Sequence, residues 1–166
     1  VMMNVLVTGA TGFIGRHLIK SLNMRGYKVF ISNTKKANLK TVENLLVYND
    51  IEFSYIFHLA AYTKGNSDGP YANEYYNNKV INDNIIRYWT TFQKQAKFIC
   101  FGTTASYAEG VDMVEENYSL KEPEEKYRFY SLSKREMLKS LLRLESDCFR
   151  WVYLVPSTVY GPEFDM

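Results

Sequence analysis

Cysteine is scarce in this chain, and so are the features that mark membrane and nucleic-acid-binding proteins. The 166 residues include two cysteines, Cys100 and Cys148, which are too few for a disulfide framework and which we expect to be buried, reduced thiols in a cytoplasmic protein. No apolar run approaches the ~20 residues that span a bilayer and no secretory leader pattern is present, so we expect no membrane association. The net charge of +2 is too balanced to indicate a nucleic-acid partner.

Metal-ligating residues are also few. The chain has two histidines, His17 and His58, and neither lies in a cluster of His, Cys or acidic residues with metal-ligand spacing. The sequence therefore predicts no metal site.

Apolar residues, by contrast, are abundant and regularly arranged. They make up 46% of the chain, which is enough for one well-buried domain. Apolar strand-like segments alternate with helical ones, and this alternation predicts an α/β fold with a parallel sheet covered on both faces. The predicted strands lie near 3–8, 28–32, 54–58, 97–102 and 150–155, and the predicted helices near 13–25, 38–47, 73–95 and 125–146.

The first predicted strand runs directly into a glycine-rich turn. Gly9, Gly12 and Gly15 are three residues apart, and the segment after them has the apolar period of a helix. Glycine lets a diphosphate approach the main-chain N–H groups, and the positive end of the following helix favours the same anion. The pattern indicates a dinucleotide-binding loop, with a purely structural strand–helix turn as the alternative.

A tyrosine and a lysine four residues apart form the second candidate site. Tyr130 and Lys134 lie in a stretch without proline or glycine, so they are predicted to share one face of a helix. A lysine ammonium beside a phenol favours the phenolate, and we expect it to lower the pKa of Tyr130 toward neutrality. Such a tyrosine can exchange a proton with a carbonyl or alcohol oxygen, whereas a surface pair without function is the alternative.

A series of motifs in a fixed order gives the chain a resemblance to a known enzyme family. They are TGATGFIG at 8–15, FHLAA at 57–61, the asparagine pair Asn78 and Asn84, the strand FICFGTT at 98–104, YSLSK at 130–134 and VYGP at 159–162. Together these motifs resemble the extended short-chain dehydrogenases/reductases, which include nucleotide-sugar epimerases, dehydratases and reductases. The resemblance implies a Rossmann-type doubly wound parallel sheet and an NAD(P) cofactor.

The resemblance also assigns roles to single residues. It implies that Tyr130 exchanges the proton, that Thr103 hydrogen-bonds the same substrate oxygen, and that Lys134 holds the nicotinamide ribose. His58 is expected to be packed and hydrogen-bonded rather than catalytic, and His17 to be exposed on the first helix. The implied cofactor-binding residues are Gly9, Thr11, Gly12, Phe13, Ile14, Asn33, Lys35, Leu59, Ala60, Ala61, Asn78, Tyr130, Lys134 and Pro156.

The end of the second predicted strand bears on the choice between NADP and NAD. The position that carries a ribose-binding acid in NAD enzymes holds Asn33, and Lys35 and Lys36 follow closely. An uncharged amide does not repel a 2′-phosphate and two lysines attract it, so NADP is preferred over NAD. A solvated lysine turn is the alternative interpretation.

Departures from the family pattern narrow the reaction. Family dehydratases carry an acidic pair after the catalytic Ser/Thr, whereas this chain has Thr104 and Ala105, so dehydration is disfavoured. The resemblance favours hydride transfer on a nucleotide-activated sugar, as in an epimerase or a 4-keto-sugar reductase of the GDP-fucose-synthase type. A reductase of a non-sugar ketone and a non-catalytic NADP-binding regulator remain as alternatives.

The resemblance finally implies a domain division and an assembly. Family members continue past the VYGP turn, so residues 1–162 are expected to be the cofactor domain and 163–166 the start of a truncated substrate-binding region. A homodimer through the predicted helices 73–95 and 125–146 is expected, with Leu132, Met137 and Leu141 as apolar contacts.

Overall fold

The fold is a five-stranded parallel sheet with helices on both faces. The computed structural model describes residues 2–63, 71–106, 128–145 and 147–162. The sheet order is β2-β1-β3-β4-β5, and every neighbouring pair of strands is parallel. The strands are β1 (Asn4–Thr8), β2 (Lys28–Ser32), β3 (Tyr55–His58), β4 (Lys97–Phe101) and β5 (Trp151–Leu154). The predicted α/β class with a doubly wound parallel sheet is confirmed.

In the described part of the chain, three α-helices lie between the strands. They are α1 (Phe13–Met24), α2 (Tyr71–Phe92) and α3 (Arg128–Leu142). Helix α1 ends where Gly26 takes a φ of +80°, a backbone conformation that glycine adopts without the strain of a Cβ. The bounds of α1 and of all five strands agree with the prediction to within one residue at each end.

The strand order places a crevice at one edge of the sheet. Strand β1 lies between β2 and β3, with Thr8 paired to Ser32 on one side and to His58 on the other. The chain therefore runs from β1 to β2 on one side of β1 and then returns to form β3 on the other side. In open α/β sheets, ligands bind beyond the carboxyl ends of the strands at such a switch point.

The two faces of the sheet have cores of very different size. The face that carries α2 and α3 has a large buried cluster that includes Leu6, Ile85, Trp89 and Phe98. The face that carries α1 has only Val5, Val7 and Leu22 as buried members of its cluster, with partly buried side chains around them. Most of the hydrophobic stabilisation of the described residues therefore comes from the α2–α3 side.

Three predictions about local structure are wrong. The segment 38–47 is not an α-helix; it contains a short 3-10 helix, Glu43–Tyr48, after a turn in which Asn38 accepts hydrogen bonds from Lys40 and Asn44. Cys148 is exposed, whereas Cys100 is buried as expected. His17 is half-buried rather than exposed.

The expected dimer contacts need a similar correction. Met137 and Leu141 are fully buried in the core between α3 and the sheet, because their positions on α3 face inward. They are not available to a partner, and the homodimer remains a prediction without them.

The predicted loop 105–124 lies mostly outside the described residues, as do most of the loop 62–72 and the segment 163–166.

None of the helices in the described ranges has the length and apolar content that crossing a membrane requires.

Candidate active site

An open cleft of about 730 Å³ lies beyond the carboxyl ends of the strands. The glycine loop and the start of α1 form one wall, the segments after β3 and β4 form the floor, and α3 and the segment after β5 complete it. It is lined by Gly9, Gly12, Phe13, Ile14, Gly15, Arg16, Leu59, Ala61, Thr63, Phe101, Gly102, Thr103, Thr104, Tyr130, Lys134, Pro156, Ser157, Thr158 and Val159. The two motifs singled out from the sequence therefore meet in one cleft.

The glycine loop fits only glycine at two positions. Gly9 has a φ of +68°, and a Cβ there would lie 2.7 Å from the backbone nitrogen of Ala60. A Cβ on Gly15 would lie 2.2 Å from the carbonyl oxygen of Gly9. At the N-cap of α1, Gly12 provides no side-chain hydrogen bond to the first turn, so the first N–H groups of the helix face the cleft without a side-chain cap. Close backbone and uncapped N–H groups are what a diphosphate requires, so these residues fit a dinucleotide.

A buried chain of hydrogen bonds fixes the segment that faces this loop. His58 Nε2 donates to Asn82 Oδ1 at 2.7 Å, and the Thr8 hydroxyl donates to His58 Nδ1 at 2.8 Å. The Thr8 oxygen in turn accepts from the backbone N–H groups of Leu59 and Ala60, each at 3.1 Å. Burial lowers the pKa of His58 to about 3, so the ring stays neutral and keeps one tautomer. The expectation that His58 is structural is confirmed.

Asn78 holds the next residues of the same segment. Its Oδ1 accepts from the backbone N–H of Tyr62 at 2.7 Å, and its Nδ2 donates to the carbonyl of Tyr62 at 2.8 Å. Asn78 is buried and does not line the cleft. The structure thus gives this residue a role in shaping the cleft wall, where the sequence had indicated cofactor contact. Asn84 donates to the carbonyls of Leu39 and Lys40, away from the cleft.

Thr103, Tyr130 and Lys134 lie together in the cleft. Thr103 follows β4, and its Oγ1 accepts from the backbone N–H of Ala105 at 3.2 Å. The Lys134 ammonium lies over the Tyr130 ring, 5.5 Å from its centroid. The structure therefore brings the three predicted side chains to one cleft.

The pKa of Tyr130 differs from the expectation. Burial raises the pKa of Tyr130, and the Glu74 carboxylate raises it further. Burial also lowers the pKa of Lys134 to about 8. The predicted lowering of the Tyr130 pKa is wrong, because the ammonium faces the ring and desolvation of the phenol dominates.

Tyr153 on β5 ties the tyrosine–lysine helix to the sheet. Its hydroxyl donates to the backbone carbonyl of Lys134 at 3.3 Å. Its ring packs on Gly102, where an added Cβ would lie 2.4 Å from a ring carbon. Because Gly102 has no side chain, Tyr153 can pack there and hold α3 in place beside Thr103. The sequence offers no signal for this contact, because it joins three elements that are far apart in the chain.

Four other predicted cofactor residues lie outside the cleft lining, in addition to Asn78. Thr11 is exposed at the loop, and Ala60 packs under Gly9. Asn33 folds onto its own turn, where its Oδ1 accepts from the backbone N–H groups of Lys35 and Lys36 at 2.8 and 2.9 Å. Lys35 is exposed, whereas the Lys36 ammonium lies 5.6 Å from the centroid of the Tyr48 ring.

Several lining residues were not among the predicted site residues, including Thr63, Phe101 and Gly102 as well as Arg16 and the segment 157–159. Arg16 lines the cleft one residue after the last glycine of the loop. The segment 157–159 follows β5 across the cleft toward α1, and His17 Nε2 donates to the carbonyl of Pro162 at 2.9 Å. A basic residue directly after the glycine motif was a sequence signal for Arg16, whereas the path of the chain after β5 had no such signal.

Within the described ranges, no group of three or more His, Cys, Asp or Glu side chains is placed to hold a metal ion.

Comparison with known proteins identifies the family. The model of the NAD dependent epimerase/dehydratase family matches residues 5–166. The chain belongs to this family. The resemblance inferred from the motifs is confirmed.

Solved structures of similar fold include reductases and epimerases of nucleotide sugars. A GDP-mannoheptose C4 reductase from Campylobacter jejuni, with NADP bound, is 18% identical with a TM-score of 0.85 and is matched over 99% of this chain and 54% of its own. A GDP-L-fucose synthetase from Naegleria fowleri is 20% identical with a TM-score of 0.73, over 96% and 51%. A UDP-glucose 4-epimerase from Thermotoga maritima is 25% identical with a TM-score of 0.77, over 98% and 58%. The chain thus spans about half the length of these epimerase/dehydratase-like proteins.

Proposed function

We propose that this protein is an NAD(P)-dependent oxidoreductase or epimerase of nucleotide-activated sugars. The observation that carries the proposal is that Thr103, Tyr130 and Lys134 line the same cleft as the glycine loop. The similar structures support the substrate class, since they include a GDP-mannoheptose reductase and an epimerase with UDP-glucose. They support the cofactor too, since one is described with NADP and another, from Thermus thermophilus, with NAD.

Each group of cleft residues has a separate role in the proposed reaction. The glycine loop and the first turn of α1 bind the diphosphate, and Pro156 with the segment after it closes the nicotinamide end of the cleft. The bound cofactor supplies or accepts a hydride. Tyr130 donates or accepts the proton at the substrate oxygen, and Thr103 orients that oxygen by a hydrogen bond. Lys134 binds the adjacent ribose and stabilises the phenolate after the proton has left.

A test of this function compares two tyrosines in the complete polypeptide. Tyr130→Phe should bind the cofactor normally but lower kcat for 4-keto sugar nucleotide reduction by about 10²–10⁴-fold, because the proton donor is lost. Tyr76→Phe is the matched control, since Tyr76 on α2 is 66% exposed, does not line the cleft and should leave kcat unchanged. Measurements are steady-state kinetics together with cofactor titration by fluorescence.

The outcomes separate the alternatives. Full activity of Tyr130→Phe would contradict the catalytic assignment. Reduction of simple ketones without any affinity for nucleoside diphosphates would favour a non-sugar reductase on the same scaffold. Cofactor binding without turnover of any carbonyl substrate would favour a non-catalytic NADP-binding regulator.

We further propose that NADP is preferred over NAD. The support is the uncharged Asn33 at the end of β2 and the exposed Lys35 in the turn after it. A lysine near a 2′-phosphate contributes a charge-assisted contact that NAD lacks, whereas the ammonium of Lys36 already lies over an aromatic ring.

The cofactor preference is measured by titrating the protein with NADPH and NADH. Lys35→Ala should weaken NADPH binding by about tenfold, equivalent to about 1.4 kcal/mol, and leave NADH binding unchanged. Lys94→Ala serves as the control, because this exposed lysine lies between α2 and β4 at the amino ends of the strands. Equal binding of the two cofactors by the wild-type protein would refute the preference for NADP.

A further inference from the structure

Tyr153 connects strand β5 to helix α3 beside the cleft. Its register partner on β4 is Cys100, and both residues pack in the cluster on the face of the sheet that carries α2 and α3. The Tyr153 hydroxyl donates to the backbone carbonyl of Lys134 at 3.3 Å. The phenol therefore spans the space between the carboxyl end of the sheet and the middle of α3.

The same ring fills the space where a side chain at position 102 would lie. A Cβ on Gly102 would be 2.4 Å from Cε1 of Tyr153 and 2.6 Å from both Cζ and the hydroxyl oxygen. These distances are far below the separation of about 3.5–4.0 Å at which two carbon atoms pack. The backbone at this position is also fixed, because the N–H of Gly102 donates to the carbonyl of Leu154 on β5 at 2.7 Å.

The two ends of the phenol thus contact the immediate neighbours of the proposed reacting groups. Thr103 directly follows Gly102, and Lys134 is held through its own carbonyl. Among the described residues, Tyr153 does not line the cleft, so its effect on the reaction passes through these neighbours. A misplacement of about 1 Å is enough to slow a reaction by a large factor, so the length of this contact matters.

We propose that Gly102 and Tyr153 form a spacer that sets the distance between Thr103 and Lys134, with Tyr153 as a positioning residue for the reaction. This inference rests on the proposed function, because Thr103 and Lys134 are the residues assigned to the substrate oxygen and to the ribose. It makes glycine at 102 and tyrosine at 153 a matched pair. A side chain at 102 is tolerated only when the ring at 153 is replaced by a shorter group.

The kinetic test is a double-mutant cycle in the complete polypeptide. Gly102→Ala should lower kcat for 4-keto sugar nucleotide reduction by about tenfold or more, because the added methyl group displaces Thr103 or α3. In a Tyr153→Leu background, which lacks the ring atoms that meet this methyl group, the same substitution should cost less than about threefold. An equal loss in both backgrounds would mean that the methyl group obstructs the cleft itself, and it would overturn the inference.

A second measurement needs no turnover. The pKa of Lys134 is followed by ¹³C NMR of the cofactor-free polypeptide with labelled lysine side chains, and Lys134→Met assigns the signal. Burial lowers this pKa to about 8, and Tyr153→Leu should raise it toward the usual 10.5, because α3 relaxes and water reaches the ammonium. The described titratable groups that face Lys134 are Cys100, His58 and Tyr130, and the substitution leaves all three in place.

Tyr55→Leu is the matched control for both measurements. It makes the same truncation in a partly buried tyrosine at the start of β3, at the opposite edge of the sheet from the cleft. Loss of packing there should lower the stability of the protein but leave kcat and the Lys134 pKa unchanged. An effect of Tyr55→Leu equal to that of Tyr153→Leu would reduce the role of Tyr153 to general stability and overturn the inference.

The remaining outcomes separate this inference from the proposed function. An unmoved Lys134 pKa in Tyr153→Leu would overturn the spacer even if the enzyme were active. Full activity of Tyr130→Phe would contradict the proposed function, whereas the Lys134 titration would still report whether Tyr153 holds α3 in place. If Gly102→Ala or Tyr153→Leu does not fold, Tyr153→Phe carries the test: it removes only the hydroxyl and should lower kcat by about fivefold, the scale of one hydrogen bond.

Discussion

At the scale of one residue, the burial of Lys134 in the cleft lowers the stability of the folded protein. Its side chain is buried, and desolvation lowers its pKa to about 8. A lysine that is charged at neutral pH but surrounded by protein destabilises the folded state, because the ammonium has lost its water. On the proposed function, the same loss of water would strengthen its interaction with a bound ribose or with a phenolate on Tyr130.

Lys134→Met should therefore stabilise the protein in the absence of cofactor, and on the proposed function it should also abolish turnover. The folded pKa of about 8 lies below the unfolded value of 10.5, so the penalty is fully present below pH 8 and disappears as the pH rises to 10.5. We expect a gain in unfolding free energy of up to about 3 kcal/mol at pH 7, since each pKa unit corresponds to about 1.36 kcal/mol. Urea denaturation at pH 7 and pH 9.5 measures it.

The pH dependence is the discriminating part of this experiment. The gain at pH 9.5 should be well below the gain at pH 7. A gain of equal size at both values would mean that methionine packs better for reasons unrelated to charge. A loss of stability at pH 7 would show that the ammonium has a stabilising partner in the folded protein.

The residue scale also shows where sequence reasoning stops. The spacing of Tyr130 and Lys134 was sufficient to place them on one face of a helix, and the structure brings them together. The direction of the tyrosine pKa was not predictable, because it depends on burial and on Glu74, which is 56 positions earlier in the chain. Spacing encodes which groups share a helix face, and it carries no information on the groups that neighbouring helices supply.

At the scale of elements, predictions succeeded where periodicity and composition agree. The strands were predicted to within one residue because short apolar runs bounded by polar turns have no competing interpretation in an α/β chain. The prediction of an α-helix over 38–47 was wrong because the apolar residues of this segment are held in place by tertiary contacts. Leu45 fills the core, and the Tyr48 hydroxyl donates to the carbonyl of Ile31 on β2 at 2.7 Å.

The hydrogen bond from the Tyr48 hydroxyl also shows how the outer side of the edge strand β2 is covered. Among the described residues, strand β2 has a neighbouring strand on one side only, so its outward carbonyls have no strand to bind there. Tyr48 satisfies one of them, and its ring packs edge-on against Phe30 and Phe53. A short 3-10 helix carries the tyrosine to that carbonyl, where an added strand would otherwise pair.

At the scale of the molecule, the cleft lies at the boundary between a strong core and a weak one. Helix α2 places Ile85, Tyr88 and Trp89 at zero exposure, whereas α1 buries only Gly15 and Leu22. Local opening costs least where few apolar contacts are broken. Helix α1 follows the glycine loop on this weaker side, so on the proposed function a bound dinucleotide would link the less stable half of the described structure to the more stable one.

Hydrogen exchange of the complete polypeptide can test this asymmetry. Without cofactor, amides of α1 should exchange faster than those in the middle of α2. At an NADPH concentration of 100 times Kd, the α1 amides should slow by about 100-fold, or about 2.7 kcal/mol, since opening of α1 destroys the binding site. Amides of the 3-10 helix Glu43–Tyr48 serve as the internal reference, because their local opening leaves the cleft intact and their rates should not change. If saturating NADPH left the α1 rates unchanged, the glycine turn would not be the part of the molecule that the cofactor holds in place.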